Sequence, residues 1–440
     1  MESFYFMAMT NLNRSKTPEE LAKERIERIE AAINLKEPDR IPLELNLDFG
    51  FKAKWAGITT YELFFDYEKA CKALIKAAID FPTDFPPLAL IGAGSLLGFA
   101  LRDYADIAPF VGVLTGPMHD ILRDKYTRWP GRELSPNAGS FQFIGGEFLK
   151  PEEYEQFIDN PIKFMAEVIV PRAHETLEKP GSPEAMAALI RLGLEGHKYA
   201  NFVSLVMKNL AELGYPLFVS IAAMVPLDFL GDFLRTIPGI LLDLRKVPEK
   251  VKVACDVLMN KFVLDRIRTF EPPSHTATLP HQKKYPATKP FTGVPLHLNE
   301  YLSPKLYDEF YWPYLKRIIV ESYNRGIKCL VGFEGRHDAH LEKLLELPKG
   351  WGIGLFEKTD IRKAKRVLEG HTCVMGGIPP TLLLSSTPKQ IENYIKKLLE
   401  DTMEGGGLIL ASSTAIPAET PPENVKAVIK AVEKYGTIRR

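Results

Sequence analysis

The sequence has no excess of either charge: over 440 residues, 56 Lys and Arg balance 56 Asp and Glu. A surface with zero formal charge sets up no long-range positive field for nucleic acid or acidic membrane. A substrate with many carboxylates would need a local basic patch instead. Cysteine is scarce. Cys71, Cys255, Cys329 and Cys373 fall outside any Cys-x-x-Cys or Cys-x-His spacing, which removes a zinc ribbon and a redox pair. Cys329 and Cys373 sit in apolar strand-like runs and read as reduced core thiols, so the expected compartment is the reducing cytoplasm. No uncharged apolar run reaches about 18 residues, so no spanning helix is expected. The start, "MESFYFMAMTNLNRSK", has neither a basic n-region nor a long apolar stretch and does not read as a signal peptide. No GxGxxG, and no GxxxxGK followed by Ser or Thr, comes after a strand, so nothing is seen to cradle a nucleotide phosphate. Repeats and low-complexity tracts are absent too.

Helix starts are plainly written. Thr17-Pro18-Glu19-Glu20, Thr387-Pro388-Lys389-Gln390 and Thr420-Pro421-Pro422-Glu423 each read as Thr at the N-cap, Pro at the first position and Glu or Gln at the third. That is a capping box with a preorganised first turn. Ser303-Pro304 opens another helix, over 303–326, with a kink expected at Pro313. The second half then alternates strand (291–298, 327–333, 351–356, 371–377, 407–412) with helix (338–347, 360–370, 388–404, 422–436). Earlier, 41–46 and 215–224 read as strands, with long amphipathic helices at 60–81, 184–213 and 248–269. Strands separated by helices rather than hairpin turns should be parallel. At least seven such strands favour a single (β/α)8 TIM barrel over a doubly wound sheet. Residues 1–36 read as an N-terminal extension and helix. Residues 37–440 read as the barrel, with an insertion of loops and short helices around 85–182.

Barrel chemistry gathers at the C-terminal ends of strands. Those ends carry Asp48 and Lys52, His297 and Glu300, Glu334 and Arg336, Glu357 and Lys358, Gly376-Gly377-Ile378-Pro379, and Ser413 with Thr414. His297 reads equally as a core histidine and as a site residue. Glu334, between a buried strand and Gly335, reads as functional, with an ion pair to Arg336 as the alternative. Asp338 can cap the next helix, leaving His337 and His340 as solvent-facing imidazoles; a metal held by this His-x-x-His pair is the lesser reading.

From about residue 290 to 437 the chain resembles the uroporphyrinogen decarboxylase superfamily, which includes corrinoid-dependent methyltransferases. The resemblance rests on "PLHLNEYLSPKLYDEFYWPYLKRII", "GFEGRHDAHLEKLLELPKG", "EKTDIRKAKRVLEG", "GGIPPTLLLSSTPKQIENYIKKLLE" and "GGGLILASSTAIPAETPPENVKAVIKAVEKYG". Upstream, "EPDRIPL" and "VPLDFLGDFLRTIPGILLDLRKVPEKV" fit a divergent branch. The resemblance implies the same barrel. The departures are informative. The decarboxylases' Arg-rich loop matches "ELNLDFGFKAKWAG" (44–57), which holds no Arg, though Arg40 precedes it. Their catalytic Asp aligns with Asp84, and their late His falls near Thr414. The zinc-binding His-x-Cys of the thiol-activating methyltransferases falls on Gly332-Phe333-Glu334, and the later Cys near Thr414. Their Gly-Asn-x-x-Pro becomes Gly376-Gly377-Ile378-Pro379.

The first implied reading is a methyltransferase moving a methyl group between a small methylated or methoxylated substrate and corrinoid on a separate partner protein. Glu334 would act at the leaving oxygen, His297 would assist, and both could ligate zinc. Glu300, Glu357 and Arg336 would bind substrate. The second reading is cofactor-free decarboxylation by Asp84, with Arg40 and Arg235 holding carboxylates. The third is a non-catalytic ligand-binding barrel. A homodimer is implied by family analogy.

Overall fold

The computed structural model describes residues 16–87, 91–271, 276–278 and 284–438, with 276–278 and Lys284 given by backbone alone. The reading of the first fifteen residues therefore lies outside the described chain. Seven parallel strands form one curled sheet: β1 (Leu43–Glu44), β2 (Ser220–Ala222), β3 (Phe291–Leu296), β4 (Lys328–Phe333), β5 (Gly352–Phe356), β6 (Cys373–Ile378) and β7 (Leu408–Ser412). Their order is β1-β7-β6-β5-β4-β3-β2, which bends into a TIM barrel. Residues 81–87 lie in the gap between β1 and β2. There Asp84 N–H donates to the Leu43 carbonyl at 3.0 Å, and Phe85 packs on Phe218 with ring centroids 5.3 Å apart.

Side-chain parity decides what each strand presents. Along β4, Cys329, Val331 and Phe333 are buried under the outer helices, while Lys328, Leu330 and Gly332 face the lumen. Ile353, Cys373, Met375, Ile409, Ala411 and Phe291 share that inner cluster. Glu44 pairs in register with Ala411, so it too points inward. At the N-terminal end the lumen is stoppered by α1 (Pro18–Ile33), whose Ile29, Ala32 and Ile33 join the inner cluster. Toward the C-terminal end the lining shrinks. Ala222, Gly293 and Gly332 face inward, and a Cβ added at either glycine would meet nothing closer than 3.9 Å. Ser220, Ala222 and Pro295 are solvent-exposed while their strand neighbours Ile221 and Val294 are buried, so the lumen is open to water on this side. Stoppered below and open above, the barrel is a cup.

Thr17 and Thr387 form the expected capping boxes, and Ser303 accepts from Leu306 N–H. Three expectations change. Thr420 caps nothing: the helix begins at Pro422 with Pro421 in the cap position, so Thr420 sits one residue too early. The helix over 303–326 is two, Pro304–Phe310 and Trp312–Asn324, parted at Tyr311 because Pro313 cannot continue the ladder. Residues 338–347 are two 3-10 turns, Asp338–His340 and Glu342–Glu346, rather than an α-helix. His337 occupies the cap, and the Asp338 carboxylate accepts from Lys363 Nζ at 3.1 Å instead. Within 91–182, short helices accompany two small antiparallel pairs, Ala93–Gly94 with Val113–Leu114 and Thr127–Arg128 with Gln142–Phe143.

Candidate active site

Three strand ends deliver a charged rim, because the inward parity of β3, β4 and β5 continues into His297, Glu334 and Glu357. His297 Nδ1 donates to Asp232 Oδ1 at 2.7 Å. Asp232 lies on a helical stretch after β2 that passes from an α-turn, Pro226–Phe229, into a π-helical segment, Leu230–Arg235. Such π segments recur at functional sites. One turn earlier, buried Asp228 accepts from Leu298 N–H at 2.8 Å and from the Tyr311 hydroxyl at 2.6 Å. Two carboxylates four residues apart thus hold both ends of the His297–Leu298 turn.

The electrostatics follow from these contacts. The hydrogen bond to Asp232 raises His297 to about 9, so the ring is an imidazolium at neutral pH. Burial pushes Asp228 up to about 7. Burial also raises the Glu334 carboxyl; His297 opposes that rise, while Glu357 and Asp232 add to it. Glu334 reaches solvent at the rim, so it can exchange its proton. Its loop is pinned: Asn299 Nδ2 donates to the Glu334 carbonyl at 2.8 Å, and Gly335 N–H donates to Glu357 Oε2 at 2.6 Å. Gly335 has φ +68° and abuts Glu300, so a side chain there would be both strained and crowded. Lys358 pairs with Glu300 at 3.4 Å. A cleft of about 340 Å³ continues over the ends of β5, β6 and β7, lined by Glu357, Lys358, Gly377, Pro379, Ser413 and Thr414.

The β1 wall carries a second ionisable group. Burial lowers Lys52 to about 8, raises Glu44 to about 7 and raises Asp48 to about 6. These three sit beside one another electrostatically, with Lys52 stabilised by both carboxylates.

Some expected site residues lie elsewhere. Asp84 is at the N-terminal end of β1, where it accepts from Leu43 N–H at 2.8 Å, Arg28 at 2.6 Å and Arg40 at 2.9 Å. A catalytic role for Asp84 and a substrate role for Arg40 are corrected accordingly: both are spent on one ion-pair cluster below the barrel. Arg235 is buried and clamps Asp243 at 2.6 Å and the Leu149 carbonyl at 2.7 Å, which leaves no fork for a substrate carboxylate. Arg336 is exposed, and the expected alternative, an ion pair with Glu334, is not formed. His337 and His340 are buried rather than solvent-facing: His340 stacks on Tyr307 at 4.0 Å, and His337 packs on Phe333 at 4.3 Å. Burial drives His337 down to about 3.

The donor set does not fit zinc as arranged. Glu334 and His297 supply two donors, His297 is charged with Nδ1 committed to Asp232, and protein zinc sites use at least three protein ligands. Among the described residues no group of three His, Cys, Asp or Glu could hold a metal ion. Asp228, Asp232 and Glu44 were missed in the sequence. The signal was there: "LDFLGD" places two carboxylates four apart just after the 215–224 strand.

A stoppered barrel with an acid/base rim at its C-terminal mouth belongs to the TIM-barrel enzyme architecture. Residues 295–435 match the sequence model of the uroporphyrinogen decarboxylase family. Uroporphyrinogen decarboxylase of Pseudoalteromonas atlantica is 29% identical over 137 residues, 31% of this chain and 38% of that protein. The same enzyme of Coxiella burnetii is 30% identical over 138 residues, with the same shares. The matched stretch thus spans about two fifths of these relatives' length. A methyltransferase from Methanosarcina mazei superposes with a TM-score of 0.58 over 93% of this chain and 98% of that one, at 13% identity, a likeness of fold. The C-terminal third of the chain is thus similar in sequence to the uroporphyrinogen decarboxylase family, and the whole chain shares its barrel fold with the methyltransferase.

Proposed function

We propose that this barrel is an enzyme that transfers a methyl group from a small methoxylated or otherwise O-methylated substrate to a corrinoid carried by a separate protein. The observation that carries the reading is the Asp232–His297–Glu334 arrangement at the open mouth: a fixed imidazolium beside a carboxyl whose proton is held more tightly than usual. Reduced corrinoid on its carrier would supply the nucleophile that accepts the methyl group. The chain's own residues do the rest. Substrate enters the open cup and places its apolar part against Ala222, Gly293 and Gly332. Its ether oxygen lies at Glu334, which donates a proton as the carbon–oxygen bond breaks. That proton turns a poor alkoxide leaving group into a neutral alcohol. His297, held charged by Asp232, stabilises the carboxylate that remains. No step requires zinc.

Charge argues against the porphyrinogen as substrate. Glu44, Asp48, Asp232, Glu300, Glu334 and Glu357 border the mouth, while Arg40 and Arg235 are committed elsewhere. A polycarboxylate would meet like charge and too few partners. The test is incubation of the pure protein with methoxylated aromatics and cob(I)alamin, following methylcobalamin by absorbance, with uroporphyrinogen assayed in parallel. Methylcobalamin formation that falls about 10²–10⁴-fold in Glu334→Gln supports the reading. Porphyrinogen decarboxylation with no methyl transfer would replace it with the second reading.

A further inference from the structure

The β1 wall holds a buried amine that the methyl transfer above does not use. After β1 the chain turns into α2 (Phe49–Ala56), capped by the Asp48 side chain, which accepts from Phe51 N–H. Gly50 sits so close to Gly139 that a Cβ would fall 2.8 Å from the Gly139 Cα, and Phe51 packs on Phe81 with ring centroids 5.3 Å apart. Those two contacts seat the helix. Lys52 is carried into the interior with 4% of its surface exposed. Its Nζ lies 5.0 Å from the Phe49 ring centre, and the charges of Glu44 and Asp48 both act on it. Among the described residues no acceptor lies within hydrogen-bonding reach of that Nζ. Lys54, two residues on, is exposed and donates to the Ala418 carbonyl at 3.0 Å.

A buried ammonium with three unused donors is costly, so the site favours a ligand or the neutral amine. A substrate carboxylate would add a third negative group beside Glu44 and Asp48. A carbonyl carbon adds none, and it reacts with the neutral amine. Burial lowers Lys52 to about 8, so about one molecule in ten carries free base at neutral pH, against about one in three thousand for a lysine at 10.5. Condensation of amine and carbonyl also needs a proton for the departing oxygen. Asp48 is committed to its helix cap. Glu44 points inward through its register with Ala411, and burial raises it to about 7, so about half of the molecules hold its proton at neutral pH.

We propose that Lys52 binds small aldehydes or ketones covalently inside the cup as an imine, with Glu44 as the proton donor. Nζ adds to the carbonyl carbon, a carbon–nitrogen bond forms, and a proton passes from nitrogen to oxygen to give a hydroxyl. Glu44 protonates that hydroxyl, which leaves as water while the nitrogen lone pair closes the carbon–nitrogen double bond. The product iminium pairs with the Glu44 carboxylate, and nothing is oxidised or reduced. This chemistry does not rest on the methyl transfer assigned above. The probe is benzaldehyde, an apolar ring with one carbonyl. The full chain is incubated with it in the presence of cyanoborohydride, which reduces the imine to a stable benzylamine, and labelled lysines are found by peptide mass spectrometry. Lys52 should be labelled at least about tenfold faster than Lys54, and its rate should saturate with aldehyde concentration. Glu44→Gln should slow the labelling about tenfold or more with unchanged circular dichroism. The wild-type comparison of the two lysines stands alone if that variant does not fold. Labelling of Lys52 no faster than Lys54, or rising linearly with aldehyde, would overturn the proposal and leave Lys52 a counter-ion for Glu44 and Asp48. Unchanged labelling in Glu44→Gln would overturn the role of Glu44.

Discussion

The two ends of the barrel are both rich in charge, yet they spend it differently. At the closed end, Asp84 accepts from two arginines and a backbone N–H, α1 seals the lumen, and every charge in the cluster has a partner. At the open end, carboxylates outnumber cations, burial lifts Glu44, Asp228 and Glu334 above their ordinary values, and small side chains leave space. The first arrangement is one that buried charge adopts to hold a fold together. The second, with carboxyl groups raised by burial in an open cleft, is an arrangement that catalytic sites use.

That contrast can be broken in order of effect. Glu334→Gln should cost about 10²–10⁴-fold in turnover with little change in melting temperature, measured by single-turnover methyl transfer and calorimetry. Asp84→Ala should do the opposite. It leaves half-buried Arg40 and the Leu43 N–H without their carboxylate and Arg28 with Asp39 alone, and should cost about 3 kcal/mol in urea unfolding while turnover per folded molecule stays intact. Asp232→Asn should remove the part of the stability that the wild type loses as pH rises from 6.5 through about 9, followed by urea unfolding across that range. The sign follows from a folded-state pKa raised above the unfolded one: the stabilisation is present below 6.5 and lost as pH rises through about 9. Gly332→Val should fit the lumen and leave stability unchanged, yet raise KM about tenfold, because it fills space meant for substrate.

How far the sequence could be read depended on whether a signal was local. Strands such as 328–333 and 373–378 announce themselves by composition, and the Thr17 and Thr387 boxes by four residues each. His297 and Glu334 were legible because a strand's parity carries past its end. Asp84 was not, since "FPTDFP" does not say at which end of a strand it sits; that depends on the long-range pairing with Arg28 and Arg40. Arg235 looked free because its partner, Asp243, and the Leu149 carbonyl are distant in the chain or on another element. His337 and His340 looked solvent-facing under a helical reading. The 3-10 turn, with three residues per turn, brings them onto one face and against Tyr307. Asp228 and Asp232 carried a visible spacing, but their meaning required the His297 turn to be brought over them by the barrel.

At neutral pH the open end holds a protonated imidazole beside an acid, and this can be measured without any substrate. The His297 ring should be titrated by nuclear magnetic resonance, its signal assigned by loss in His297→Gln and compared with Asp232→Asn. Titration near 9 in the wild type and a clear fall in the variant are expected. Titration at or below the ordinary 6.5 in the wild type, or no change on removing the Asp232 charge, would contradict it.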